Sequence, residues 1–267
     1  MLQIENKTPL SVALSPFLDS RGANLVSIAA KGTFSISTGQ EPPSLACAQT
    51  PVELVETPFN EPYQSVLRVP ADLVPGKAAT DVGAVSHAYG RKSWLRRRIP
   101  ISVSVGPLSK RAWIQPDAND DADERSLAPV AQAIGFVPSN ADRRIKFAGT
   151  YDANWKSTQL PLPPLDLSPL FFNCATAGLT ADGFLSGPLP VDLNGLSPRG
   201  RLRFTIPNIS IRFTYRFQSR ELPSPAALWT VLLQPDRDEF CLVWGACVDV
   251  GLRPSALHDV LVEAEGL

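Results

Sequence analysis

Two histidines, His87 and His258, and four cysteines, Cys47, Cys174, Cys241 and Cys247, are the residues of this chain best suited to nucleophilic or metal chemistry. Their spacing supports neither. The cysteines form no C-x-x-C pair, so a local zinc site is not indicated and buried thiols in a reducing compartment are the expectation. No G-x-S-x-G, H-E-x-x-H or phosphate-cradling glycine loop is present. Paired carboxylates, as used in glycoside hydrolysis, remain open, because their separation belongs to the fold and not to the sequence. The run Asp117-Ala-Asn-Asp-Asp-Ala-Asp-Glu124 begins like a calcium loop. It then places Ala122 where the sharp turn needs glycine and Ala128 where a bidentate acid is required, and it reads as a solvated acidic loop. The basic cluster Gly90 to Arg98, with Trp94 inside it, reads as a solvated hairpin tip or a docking patch for an acidic partner. A net charge of -1 argues against a polyanion binder.

The elements that would position such groups are short strands. Apolar, β-branched segments at Leu10 to Leu18 and Leu25 to Ile36 flank the turn Asp19-Ser-Arg-Gly22 and predict an opening hairpin. Leu45 to Val55, Gln64 to Val69 and Val82 to Ala88 follow as shorter strand segments. Ile209, Ile211, Phe213, Tyr215 and Phe217 alternate with polar residues, the period-2 signature of a half-buried strand. Leu228 to Gln234 and Glu239 to Trp244, joined by Pro235 to Asp238, predict a closing hairpin. Ser255 to Glu265 predicts a terminal helix, with Ser255 as its cap and Leu257 and Leu261 on one face. Twenty-six prolines scattered between these segments favour many short strands over long helices.

Between the strand-rich halves lies Gly149 to Asn173, GTYDANWKSTQLPLPPLDLSPLFFN. Pro161, Pro163, Pro164 and Pro169 bar a helix interior and a central strand there. The segment is predicted to be an extended strap pinned by Tyr151, Trp155, Phe171 and Phe172. The fold expectation is therefore mainly β with little helix: antiparallel sheets packed as one sandwich, or two joined by the strap, divided near residue 147 into segments 1–147 and 148–267. The opening residues Met1 to Lys7 lack a basic leader and an apolar core. No apolar run approaches the length of a spanning helix, so a cytoplasmic location is expected.

The loop Ala71-Asp-Leu-Val-Pro-Gly-Lys-Ala-Ala-Thr-Asp-Val82 resembles the signature of a bacterial family of unknown domain function encoded in type VI secretion clusters, beside spike proteins and toxic effectors. Further matches are Asn6-Lys-Thr-Pro9, Lys31-Gly-Thr-Phe34, Gln49-Thr-Pro51, Val105-Gly-Pro107 with Lys110, Gly149-Thr-Tyr-Asp152 with Trp155, Phe171-Phe-Asn173 and Asp192-Leu-Asn-Gly-Leu196 leading to Ile206-Pro207. The chain departs from the family in its middle, where only Arg111 to Ala128 stand in place of a longer segment. The resemblance implies a non-enzymatic cytoplasmic adaptor or chaperone that holds a secreted effector protein and helps load it on the spike or its PAAR-repeat tip protein. It implies no metal, cofactor, nucleic-acid or membrane partner. It marks Asp72, Lys77, Asp81, Tyr151, Asp152, Trp155, Phe171 and Phe172 as family-motif or partner-binding candidates. For Asp152 the residue-level reading is a turn, for Trp155 a core position, and for Lys77 with Asp81 a loop-bracing ion pair. A carbohydrate-processing or other hydrolytic enzyme on a β-sandwich, and a small-ligand-binding sandwich, remain as alternatives.

Overall fold

A computed structural model describes residues 3–37, 41–59, 66–90, 98–115, 127–251 and 257–267. The chain is mainly β, with sixteen strands and three short α-helices among the described residues, α1 (Leu127–Ile134), α2 (Asp142–Ile145) and α3 (Ala153–Thr158). The largest sheet has the order β2 (Ser11–Leu18), β3 (Asn24–Ser35), β15 (Glu239–Asp249), β14 (Ala227–Gln234) and β7 (Asp81–Ala84), with β4 (Ser44–Leu45) also paired to β3. A second sheet runs β11 (Leu202–Ile206), β10 (Leu189–Asn194), β8 (Ile99–Val105) and β9 (Leu108–Ile114). A third runs β1 (Gln3–Asn6), β16 (Leu257–Glu265), β12 (Ser210–Phe217) and β13 (Glu221–Pro225). The small pair β5 (Thr57–Pro58) and β6 (Leu67–Val69) completes the set. Pairing is antiparallel except at two sheet edges, where β7 lies parallel to β14 and β1 parallel to β16.

Alternation decides which face each strand buries. In β8, Ile99, Ile101, Val103 and Val105 point inward and alternate with half-buried Pro100, Ser102 and Ser104. In β12, Ile211, Phe213 and Tyr215 do the same, as the period-2 pattern predicted. These side chains meet Val26, Ile28 and Phe34 of β3 and Val260 and Val262 of β16 in one continuous core. Strand β3 differs in being covered on both sides, so it reads as a nearly unbroken buried run. Its second face, with Ser27, Ala29, Lys31 and Thr33, lies beneath the loops that carry Val52 and Leu73. Proline stands in edge strands at Pro16 of β2 and at Pro223 and Pro225 of β13, where it blocks further pairing, and near the ends of the interior strands at Pro100 of β8 and Pro190 of β10, each in register with one neighbour only.

Several expectations are corrected. Leu257–Glu265 is a strand and not a helix. Val260 and Val262, β-branched and two apart, enter the core between β1 and β12, and this outweighs the helical spacing of Leu257 and Leu261. Ser255, its predicted cap, lies outside the described residues, as do the basic cluster from 91 to 97 and the acidic run. Leu45 to Val55 forms only the two-residue β4 before turning irregular, and the strand beginning at 81 stops at Ala84. The strap is not wholly extended. It holds the helix α3 (Ala153–Thr158), which ends before Pro161, and a 3₁₀ turn at Pro169–Phe172 with its proline in the first turn, where no N–H is missed. Each of the three large sheets takes strands from both sides of residue 147.

Two glycines are needed for close approach. A Cβ on Gly83 would lie 2.5 Å from the ring of fully buried Phe136, and one on Gly245 would lie 2.3 Å from the indole of Trp229, which sits at the bulge in β14. Gly83→Val should therefore destabilise the fold by about 1–3 kcal/mol through overpacking. A urea midpoint unchanged from wild type would contradict the Phe136–Gly83 contact.

Candidate functional site

The signature loop carries its charges inward. Asp72, Lys77 and Asp81 are all buried. Asp72 receives Lys31 Nζ of β3 at 2.7 Å and the backbone N–H of Glu53 at 2.9 Å. Lys77 donates to Asp81 at 2.9 Å and to Thr230 Oγ1 of β14 at 3.0 Å. Asp81 also accepts from the Cys174 backbone at 2.8 Å and from Thr180 Oγ1 at 2.9 Å. Burial alone would push the Asp81 carboxyl up, but the Lys77 charge and these donors outweigh it and hold it below the usual carboxylate range. Burial likewise pulls Lys77 down, and the Asp81 charge reverses that and raises it. The Cys174 thiol beside them is pushed up to about 12 by burial, which makes it inert as a nucleophile.

The strap is pinned to the surface by its own motif residues. Gly149 adopts φ +82°, and a Cβ there would strike Pro164 and Asp166. Asp166 takes the Thr150 N–H at 2.9 Å and its hydroxyl at 2.8 Å, which lowers its pKa. Asp152 caps α3 by accepting from Trp155 N–H at 2.8 Å. Trp155 Nε1 donates to Leu162 O at 3.0 Å, and its half-buried ring meets Tyr151 edge to face at 4.7 Å. Gln159 reaches Ser20 O in the turn between β2 and β3. Tyr151 itself is largely exposed.

Phe171 and Phe172 face a different surface. With Leu54, Val55, Leu73 and Pro138 they line a groove of about 420 Å³. Leu54 and Val55 are 61% and 68% exposed, although both are large and apolar. Buried Arg144 lies at the groove floor, pairs with Glu56 at 2.5 Å, donates to Phe171 O at 2.8 Å and rests 5.1 Å from the Phe171 ring. Sequence reasoning singled out Phe171 and Phe172 but missed Leu54, Val55, Glu56 and Arg144. An arginine in the polar run Ala141-Asp-Arg-Arg-Ile-Lys146 gives no sign that it will be buried.

A profile of a bacterial family described as an uncharacterized protein conserved in bacteria, DUF2169, matches residues 21–117 and 114–245. The chain belongs to this family. The two DUF2169 segments include both the signature loop and the strap, and they meet at residues 114–117, where the sequence reading places the shortened middle. They leave out β1 and β16 of the third sheet. No curated protein and no solved structure matches.

One polar cluster resembles a catalytic triad in composition only. His87 Nδ1 lies 2.7 Å from Asp236, which also accepts from Tyr89 and Ser86 at 2.9 and 3.0 Å. Ser86 Oγ is turned to Asp236 and to Leu196 O at 2.6 Å, not to His87 Nε2, so the imidazole does not face the hydroxyl as it does in a triad. The cluster ties the chain after β7 to the turn before β15.

Removing one member of a buried pair leaves the other charge uncompensated. Asp81→Asn or Lys77→Met should each cost about 3–5 kcal/mol, whereas the double change Lys77→Met with Asp81→Leu should recover much of that loss. Chemical denaturation of the three variants tests this, and equal losses in all three would refute an ionic role. The pH dependence follows from the signs. The depressed Asp81 contributes stability that is full above the ordinary carboxylate range and is lost as pH falls through its lower folded value. The raised Lys77 contributes stability that is full below the ordinary lysine range and is lost as pH rises through its higher folded value. Wild type should hold a plateau between those limits, with an acid limb that is shallower in Asp81→Asn.

Proposed function

We propose that this protein is a non-enzymatic cytoplasmic adaptor that binds a type VI secretion effector and presents it to the spike or its PAAR-repeat tip protein. The observation that carries the reading is the exposed apolar groove between Leu54-Val55 and Phe171-Phe172. Large apolar side chains held in the open, beside half-buried aromatics on a fixed backbone, are the anchors a protein interface uses. The client would insert an apolar segment between the two walls, above the Arg144–Glu56 pair that holds the floor. The resemblance of the signature loop and strap to proteins encoded beside spike components and effectors supplies the class of client. An adaptor of this kind needs no nucleophile, which agrees with the inert Cys174 and with a Ser86 hydroxyl turned away from the His87 imidazole.

Leu54→Asp and Val55→Asp are substitutions at exposed positions and should change stability by no more than about 0.5 kcal/mol. Together they should weaken binding to the effector encoded beside this protein by about thirtyfold or more, the loss of a hot spot of about 2 kcal/mol. Biolayer interferometry with the purified effector measures this, and a secretion assay in a deletion strain complemented with the double variant measures delivery. Normal effector delivery in the deletion strain, or unchanged binding by the variant, would overturn the assignment.

A further inference from the structure

The outer face of the second sheet presents one aromatic among polar side chains. On β9, Trp113 is 66% exposed, and Arg111 and Ser109 point the same way. Strand register sets Pro100 of β8 directly opposite Trp113, so the two apolar side chains are cross-strand neighbours on this face. The next row across the sheet is Arg111, Ser102 and Asn194, aligned by the β9–β8 and β8–β10 registers. With Arg201 these residues line an open depression of about 420 Å³. Arg201 is held by Asp192 through two bonds, at 2.7 and 2.5 Å, and Arg203 adds a third at 3.1 Å. Among the described residues of these four strands, Asp192 is the carboxylate on this face and is thereby taken, and Arg111 has no ion pair.

We propose that this face binds an oligosaccharide bearing a carboxylate. The apolar C–H face of a pyranose ring stacks on Trp113 and Pro100. Asn194 and Ser102 bond its hydroxyls, and Arg111 takes the carboxylate with its planar pair of donors. The pattern fits a sugar better than the other ligands of a sheet face. A protein interface concentrates apolar side chains at its centre and thins out charge there, whereas here a single indole is ringed by arginines, an amide and a hydroxyl. A nucleic acid needs several free cations for its phosphates, whereas Arg201 and Arg203 on this face are both engaged by Asp192. The proposal is independent of the adaptor reading, whose groove is built from other residues.

Isothermal titration of the full chain with tetragalacturonate, and with cellotetraose as the neutral control, tests it. Tetragalacturonate should bind, and Trp113→Ala should weaken it about tenfold, the loss of one good aromatic contact. Arg111→Ala should abolish the preference over cellotetraose. Both positions are exposed, and a thermal melt confirms that the variants remain folded. The proposal is overturned if tetragalacturonate gives no heat with wild type, if Trp113→Ala binds it as tightly, or if cellotetraose binds equally well. It is also overturned if Trp113→Ala loses the effector while sugar binding is absent, since the face would then be a protein interface.

Discussion

Lys31 stands in the middle of a strand covered on both faces, and it is tolerated there because the Asp72 carboxylate reaches its ammonium at 2.7 Å. A lone charge at that depth would cost several kcal/mol, so the loop that brings Asp72 must close over the sheet whenever the sheet forms. The same closure buries Lys77 and Asp81 a few residues later. Ser27 of β3 fastens the loop between the two pairs by donating to Val74 O at 2.6 Å. These charges act as register marks more than as sources of net stability, because the desolvation of both partners offsets much of their attraction.

Both walls of the apolar groove depend on that closure. Asp72 binds Glu53 twice, accepting its N–H with the side chain and donating its own N–H to Glu53 O at 2.8 Å. Leu54 and Val55 are the next two residues, so their exposure follows from a backbone already held from beneath. On the opposite side, Asn173 donates to Ala79 O at 2.7 Å and accepts from Ala78 N–H, while Cys174 N–H binds Asp81. Phe171 and Phe172 immediately precede these anchors. One buried ionic centre thus fixes the end of the strap and the start of the groove together, which gives a rigid site on loops that would otherwise move independently.

The strap shows a second economy of the same kind. Gly149, Thr150 and Asp152 of the strap motif serve local geometry: a left-handed backbone, a bond to Asp166 and a helix cap. Trp155 fastens the far end through Leu162 O. The motif therefore records how a proline-rich crossing is folded onto the sheet, and Tyr151 is the member that remains largely exposed.

The sequence by itself determined what depends on near neighbours. Period-2 alternation from Ile209 to Phe217, the hairpin turn at Pro235 to Asp238, the absence of long helices and the bracing of Lys77 by Asp81 were all legible, because each arises from residues a few positions apart. Tertiary structure decided the rest. Val260 and Val262 became strand residues because an open slot between β1 and β12 rewarded alternation over helical spacing. Lys31 found Asp72 forty-one positions away, and Arg144 found Glu56 eighty-eight away, distances at which no local pattern carries information. The face that sets Trp113 and Pro100 beside the row of Arg111, Ser102 and Asn194 exists only once three strands are in register, since each residue alone is an ordinary surface side chain.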